Sequence, residues 1–275
     1  MLDKTVSEEV LSGEKMLPKV GEYEFMAEPF HCDFSNKLMM GHLGNHMLNA
    51  ADFHSNDRGY GMNYLNTVNK TWVLSRLAIE MQDMPMAYDR FKVETWVEGA
   101  MKYFTSRNFK MSSADGSKVY GYGRSIWAMI DTETRQPCDI YSIHNGLIDK
   151  YVEKDKEAPI LPSSRVKIPA DATLVRSIDT YYNDVDVNGH INSVKYIEHI
   201  LDLFDIEYFR THRLQRFEIA YVAESHQGDK LHFYMDCKTR GDENVNDYNI
   251  RITKSAENDE NEVEVVRSCI KFVKD

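Results

Sequence analysis

Three side chains of complementary chemistry lie at alternating positions in the run Asp186-Val187-Asn188-Gly189-His190. They are a carboxylate, a carboxamide and an imidazole, and an apolar helical pattern begins directly after them. The first turn of a helix offers unpaired backbone N–H groups and the positive end of the helix dipole. An ester or thioester carbonyl that becomes an oxyanion needs surroundings of this kind. The run therefore predicts a site for chemistry on such a carbonyl.

Composition indicates an ordinary globular protein. The chain has 275 residues, of which 42% are hydrophobic and 28% charged, so it can form one large domain or two small ones. Its formal net charge of -11 argues against a general nucleic-acid role, because phosphate binding needs a basic footprint. An anionic partner would need a local basic patch.

Cysteine usage and hydropathy predict a cytoplasmic protein. The four cysteines are far apart, without Cys-x-x-Cys spacing, and we expect free thiols in a reducing compartment. No apolar stretch approaches the ~20 residues of a membrane span. Residues 1–20 mix acids, bases and leucine, which predicts a poorly ordered leader rather than a signal peptide.

Two segments have the apolar spacing of amphipathic helices, over residues 36–54 and 191–204. After each of these segments, most of the chain either alternates or runs apolar, as strands do. The predicted strands lie at 91–97, 107–111, 125–130, 231–237, 248–253 and 263–273. The chain therefore reads as α+β, with a helix and then several antiparallel-type strands in each half.

The two halves look like copies of one unit. Arg76-Leu77-Ala78-Ile79 has a counterpart in Arg216-Phe217-Glu218-Ile219, and Asp89-Arg90-Phe91 has one in Asp229-Lys230-Leu231, at one constant offset. A single unit would leave its sheet face uncovered, whereas two units side by side could form one continuous sheet around two helices. Chance similarity is the alternative, because few positions match.

We therefore divide the chain into a leader, two copies and a linker. The copies are assigned to residues 21–140 and 168–275. Residues 141–167 contain two prolines and a charged run, which favours a crossover linker between them.

Two motifs resemble a known family. Residues 186–196 read Asp-Val-Asn-Gly-His-Ile-Asn-Ser-Val-Lys-Tyr, which is similar to the Asp-x-Asn-x-His-Val-Asn-Asn-x-Lys-Tyr signature of acyl-ACP thioesterases. These are the fatty-acid-releasing enzymes of plant plastids and many bacteria. Residues 219–225 resemble that family's Glu-Tyr-Arg-Arg-Glu-Cys segment, and residues 72–76 and 95–97 resemble first-domain landmarks. The resemblance covers roughly residues 21–273 and implies a double hotdog fold.

The resemblance implies that Asp186, Asn188, His190 and Glu224 are catalytic in the hydrolysis of fatty acyl-ACP, with no metal or cofactor. In that mechanism Glu224 takes a proton from the attacking water. Asn188 and His190 hydrogen-bond the thioester carbonyl or the water, and Asp186 orients its neighbours. We also expect the backbone N–H groups of residues 189–191 to stabilise the oxyanion.

Two alternatives concern the nucleophile. Plant members often have cysteine where this chain has Ser225, and an older proposal made that cysteine a nucleophile. A serine nucleophile would need an adjacent base. Alternatively, Glu224 itself attacks and forms an anhydride.

The first copy lacks the polar set. At the duplication offset Glu224 corresponds to Met84, and residues 33–37 contain no Asn-x-His. We therefore expect one active site per chain, in the C-terminal copy, with the N-terminal copy as scaffold and acyl pocket.

An acidic carrier protein needs a positive surface on this acidic chain. Arg210, Arg213 and Arg216 cluster after the second helix without an intervening acid, and they form the predicted dock together with Lys195. A solvated basic turn is the structural alternative. A homodimer is compatible with the fold.

Each of these polar residues could instead have a structural role. Asp186 could cap the helix, Asn188-Gly189 could be only a turn, and Glu224 could be a solvated charge at a strand end. His42 and His46 have a spacing that can hold a metal, but no carboxylate completes the usual motif, which favours surface or core histidines.

Other functions share this fold. An acyl-CoA thioesterase, a 3-hydroxyacyl thioester dehydratase and a non-catalytic acyl-binding protein are the alternatives. Dehydration would make an enoyl chromophore, whereas hydrolysis releases a thiol.

Overall fold

The computed structural model describes residues 16–163, 165–239, 244–256 and 261–274. Of the leader expected over residues 1–20, the first fifteen lie outside the described residues. Contacts divide the chain into two units, and the first ends at Ile160. The segment Arg76–Gln82 belongs to the second unit, with the residues from Leu161 onward.

The first unit contains an antiparallel sheet and one long helix. Its elements are β1 (Gly21–Met26), α1 (Met40–Asp57), α2 (Met62–Leu65), β2 (Lys70–Met81), β3 (Arg90–Ala100), β4 (Phe104–Ser113) and β5 (Val119–Asp131). The strand order is β1-β3-β4-β5-β2. Only the residues of β2 up to Ser75 belong to this unit.

The second unit repeats this plan. Its elements are β6 (Thr173–Asp179), α3 (Ser193–Leu201), α4 (Ile206–Thr211), β7 (His212–Tyr221), β8 (Lys230–Thr239), β9 (Val245–Ser255) and β10 (Val263–Lys274). The strand order is β2-β7-β10-β9-β8-β6. The end of β2 pairs with β7 from Arg76↔Ala220 to Glu80↔Arg216, which is why Arg76–Gln82 groups with this unit.

Helix α1 forms because apolar residues recur on one of its faces. Leu43, Met47 and Ala50 are fully buried and point to the side that packs on β1 and β3. The helix begins at Met40 rather than at the predicted residue 36, because a tight turn occupies the preceding residues. In that turn Asn36 has a φ of 66°.

Helix α3 is shorter than predicted at both ends. Ile191 forms an isolated bridge with Val185, and the Asn192 side chain accepts the Val194 N–H as the helix N-cap. At the other end the helix stops at Leu201, and Asp205 caps the separate helix α4. The apolar spacing over 191–204 therefore extends beyond the helix at both ends, past the N-cap Asn192 and past Leu201.

The predicted linker is partly structured. Ile140–Asn145 and Leu147–Tyr151 are 3-10 helices in the first unit. They bury Ile143, Leu147 and Tyr151 in a cluster that includes Tyr60. The charged run at 149–157 obscured these apolar residues in the sequence.

Candidate active site

The run from Asp186 to His190 folds as a tight turn. The Asp186 N–H donates to the His190 carbonyl at 2.8 Å, and the Gly189 N–H donates to the Asp186 carbonyl at 3.0 Å. Gly189 has a φ of 80°, a left-handed conformation that favours glycine. The turn lies directly before the cap of α3, so the sequence prediction of its position is accurate.

The Asp186 carboxylate stabilises this turn by accepting hydrogen bonds from its backbone. Its Oδ1 accepts the Asn188 N–H at 2.8 Å and the His190 N–H at 3.3 Å. The helix cap is Asn192 rather than Asp186. Asp186 therefore fixes the backbone that carries Asn188 and His190.

The first copy contains the same turn without the same side chains. The Asp33 N–H donates to the Lys37 carbonyl at 2.8 Å, and the Asp33 Oδ1 accepts the Ser35 and Lys37 N–H groups. Ser35 and Lys37 occupy the positions that correspond to Asn188 and His190. The turn is a feature of the duplicated fold, whereas the amide and the imidazole belong to the second copy alone.

A second hydrogen bond aligns the two copies around Glu224. Ile191 donates its N–H to the Ser225 carbonyl at 2.8 Å, and Leu38 donates its N–H to the Pro85 carbonyl at 2.9 Å. Pro85 thus corresponds to Ser225, and the apolar Met84 takes the place of Glu224. This correspondence agrees with the offset read from the sequence.

His190 and Glu224 meet as a pair. The distance from His190 Nε2 to Glu224 Oε2 is 3.4 Å, with the two side chains 25% and 37% exposed. Glu224 lies just beyond the end of β7 at Tyr221. A base in contact with an imidazole, both reachable from solvent, can activate a water molecule. Asn188 is exposed on the same turn.

Ser225 is turned away from solvent. The residue is 1% exposed, and its Oγ is buried. Its carbonyl accepts the Ile191 N–H. A buried hydroxyl without a base favours Glu224 over Ser225 as the reacting group.

The expectation that backbone N–H groups of residues 189–191 form an oxyanion hole is wrong. The Gly189 and His190 groups donate to Asp186, and the Ile191 group donates to Ser225. These donors are used to build the turn. The side chains of Asn188 and His190 are left as the donors that this turn can offer to an oxyanion.

His226 is a neighbour that the sequence prediction did not include. Its ring centroid lies 5.0 Å from that of His190, in a T-shaped arrangement. Its N–H donates to the Asp229 carboxylate at 2.9 Å, and its carbonyl accepts the Thr180 hydroxyl. Its position two residues after Glu224 was the available signal.

The four predicted docking residues lie on three elements of the second unit, and each has an internal partner. Lys195 Nζ is 2.7 Å from Glu198, and Arg210 Nε is 3.2 Å from Glu207. Arg213 donates to the Met81 carbonyl at 3.1 Å.

Arg216 is the most constrained of the four. Its guanidinium contacts Glu80 at 2.9 Å and Glu218 at 2.7 Å, and its side chain is 13% exposed. It also donates to the Leu161 and Pro162 carbonyls. These contacts favour a structural role for Arg216.

Two family models match the chain. The acyl-ACP thioesterase N-terminal domain matches residues 19–145, and the acyl-ACP thioesterase C-terminal domain matches residues 169–267. The chain belongs to the acyl-ACP thioesterase family. The resemblance drawn from the two motifs is confirmed.

Solved structures agree with this membership. The crystal structure of an acyl-ACP thioesterase from Bacteroides thetaiotaomicron is 48% identical, with a TM-score of 0.82, over 92% of this chain and 98% of that one. The 12:0-ACP thioesterase from Umbellularia californica is 18% identical and shares the fold, with a TM-score of 0.78 over 94% and 95% of the chains. The predicted α+β double hotdog is confirmed.

Curated relatives are longer plant proteins. A chloroplastic acyl-[acyl-carrier-protein] hydrolase from Cuphea viscosissima is 26% identical over 68% of this chain and 46% of its own length. The oleoyl-acyl carrier protein thioesterase 1 of Arabidopsis thaliana is 25% identical over 58% and 46%. The chain thus spans about half the length of these relatives. Among the described residues, no helix is long and apolar enough to cross a membrane.

Proposed function

We propose that this chain hydrolyses fatty acyl thioesters of acyl carrier protein, releasing a free fatty acid and the carrier protein and so ending fatty acid synthesis. The observation that carries the proposal is the 3.4 Å contact between His190 Nε2 and Glu224 Oε2 beside the turn that Asp186 holds. Membership of the acyl-ACP thioesterase family supports the same reaction class.

Each catalytic residue has one role in the proposed mechanism. Glu224 takes a proton from a water molecule, and the oxygen of that water attacks the thioester carbonyl. Asn188 and His190 donate hydrogen bonds to the developing oxyanion. The C–S bond then breaks, and the leaving sulfur takes up a proton as the thiol. Asp186 is a positioning residue, because its carboxylate is engaged by the turn.

The N-terminal copy has a different role in this proposal. It has Ser35, Lys37 and Met84 where the second copy has Asn188, His190 and Glu224, so the polar set occurs once. We assign the acyl-binding pocket to the N-terminal copy. Residues 21–140 and 168–275 are kept as the two copies, and residues 141–167 as the segment between them.

The carrier protein would meet a basic surface. Arg210 and Lys195 are 53% and 31% exposed, and both sit next to an acid that a stronger anion could displace. Arg213 completes the proposed dock, while Arg216 is left out because of its internal contacts. We further propose that the protein acts in the cytoplasm and can pair as a homodimer.

The test is a hydrolysis assay on acyl carrier protein loaded with chains of different length, with acyl-CoA in parallel. Free thiol and free fatty acid should appear in equal amounts, faster from the carrier protein than from CoA. An enoyl product would instead indicate a dehydratase, and tight acyl binding without turnover would indicate a binding protein.

A further inference from the structure

A histidine–carboxylate cluster lies in the first unit, among residues that the proposed mechanism does not use. Glu28, His31 and His46 each bring one ligand atom to a group whose members all lie within 4.8 Å of one another. Glu28 Oε2 is 3.2 Å from His31 Nδ1 and 3.8 Å from His46 Nε2. Glu28 is the N-cap of a 3-10 helix (Pro29–His31) that ends at His31, and His46 is on α1.

His46 is the least exposed member of this cluster, with its side chain 13% exposed, and two aromatic rings pack against it. Its ring centroid lies 4.6 Å from that of Phe25 and 5.4 Å from that of Phe91. Its Nε2 is buried and has no hydrogen-bond partner among the described residues. An unsatisfied buried nitrogen is costly unless something binds it.

We propose that Glu28, His31 and His46 form a binding site for a divalent transition-metal ion, with Zn²⁺ as the best fit. Two imidazoles and a carboxylate suit Zn²⁺ better than Mg²⁺ or Ca²⁺, which prefer oxygen ligands. Ligand atoms around a tetrahedral Zn²⁺ lie roughly 3.4 Å apart, so small side-chain shifts close the site. Glu28 and His31 are 46% and 40% exposed, which gives the ion an entry path and leaves a fourth position for water.

Bound metal would pin the 3-10 helix to α1. The sequence alone paired His46 with His42 by spacing and favoured structural roles for both. In the structure His42 stacks on His31 with ring centroids 3.9 Å apart. That stacking orients the His31 ring, so His42 supports the site without being one of its three ligands.

The second copy provides a matched control. The two turns align Asp186 with Asp33. Counted from these two residues, His199 corresponds to His46, Asp184 to His31 and Tyr181 to Glu28. His199 Nε2 is 3.2 Å from Asp184 Oδ1, so this imidazole already has a carboxylate partner. Tyr181 in place of Glu28 leaves that pair without a third ligand. The second copy should therefore not bind the ion.

The experiment titrates Zn²⁺ into chelator-treated full-length protein by calorimetry. Wild type should bind one Zn²⁺ per chain. His31→Ala and Glu28→Gln should weaken binding by at least about tenfold, and His199→Gln should leave it unchanged. Because His31 and Glu28 are partly exposed, circular dichroism should show both variants folded, and saturating Zn²⁺ should raise the melting temperature of wild type but not of His31→Ala.

Two results would overturn the site. One is a wild-type protein that binds no stoichiometric Zn²⁺. The other is Zn²⁺ binding that His31→Ala and Glu28→Gln leave as tight as in His199→Gln, because the ion would then sit elsewhere. Neither readout depends on thioester hydrolysis, so failure here is distinguishable from failure of the proposed activity.

Discussion

His190 and Glu224 are held 3.4 Å apart by a hydrogen bond between their chain neighbours. The N–H of Ile191, which follows His190, donates to the carbonyl of Ser225, which follows Glu224. The turn and the segment after β7 are therefore joined at the site itself.

The first prediction concerns Asp186, whose carboxylate accepts two backbone N–H groups. Asp186→Ala should lower kcat by about tenfold or more, since about two net hydrogen bonds are lost from the turn. Asp186→Asn keeps an amide oxygen that can accept both N–H groups, and should lose less. Steady-state hydrolysis with both folded variants tests this. Equal losses would mean that the negative charge matters rather than the turn.

The second prediction concerns Gly189, with its φ of 80°. Gly189→Ala meets open space but must adopt a left-handed conformation, which costs about 1–2 kcal/mol and should lower both the melting temperature and kcat. Gly116→Ala is the matched control, because Gly116 has a φ of 76°, also faces open space and lies in a turn of the first unit. Gly116→Ala should lower the melting temperature by a similar amount and leave kcat unchanged. If both variants kept full activity, the turn would not position the site.

The third prediction concerns the proposed dock. Arg210→Glu should raise KM for acyl carrier protein several-fold without changing kcat, and the effect should shrink at high salt. Arg90→Glu, an exposed reversal on β3 of the first unit, is the control and should leave KM unchanged. An Arg210→Glu variant with wild-type KM at low salt would count against the dock.

The fourth prediction concerns His54, which is fully buried on α1. Burial, with the charges of Arg107 and Arg58, lowers its pKa far below the ordinary value. Its Nε2–H donates to the Lys19 carbonyl at 2.9 Å, and its Nδ1 faces the Tyr60 hydroxyl. The folded state thus holds His54 neutral.

Because the folded pKa is lowered, the stabilisation is complete above the unfolded pKa of about 6.5 and is lost as pH falls below it. Between pH 7 and pH 5 this one group should remove about 2 kcal/mol from the free energy of unfolding. Urea denaturation of wild type and His54→Gln at both pH values checks it. The two proteins should differ in pH dependence by that amount, and parallel pH dependences would contradict the assignment.

Much of the fold follows from local pattern. Alternation places Phe91 and Val93 on the buried face of β3, and the burial of both is complete. Helix boundaries are harder to predict from the sequence. The apolar spacing continues through Ile191, but the N–H of Ile191 donates to a residue 34 positions away instead of joining the helix. Such long-range pairing leaves no local signal. The sequence prediction counted Ile191 in the helix for this reason.

The site was predictable only in part. The spacing of Asp186, Asn188 and His190 and the likeness at Glu224 identified the residues that the structure brings to one turn and one strand end. The partners of the N–H groups of residues 189–191 depend on how the turn closes in three dimensions. The expected backbone oxyanion hole was therefore wrong. The same applies to Arg216, which looked like part of a basic surface and is engaged by Glu80 and Glu218.

A labelling experiment tests for an anhydride that is hydrolysed at the Glu224 carbonyl carbon. A single turnover in heavy-oxygen water, followed by mass analysis of the peptide that contains Glu224, should show label in the fatty acid and none in the carboxylate if Glu224 is a base. Label in Glu224 would instead indicate an anhydride intermediate.

The proposed reaction depends above all on the Glu224 carboxylate beside His190. The decisive measurement is thiol release from acyl carrier protein thioester by Glu224→Gln, which keeps the shape of the side chain and removes its basicity. We expect a fall in kcat of about a hundredfold or more, with an unchanged melting temperature. A folded Glu224→Gln protein with kcat within a few-fold of wild type would contradict the assignment of Glu224 as the base.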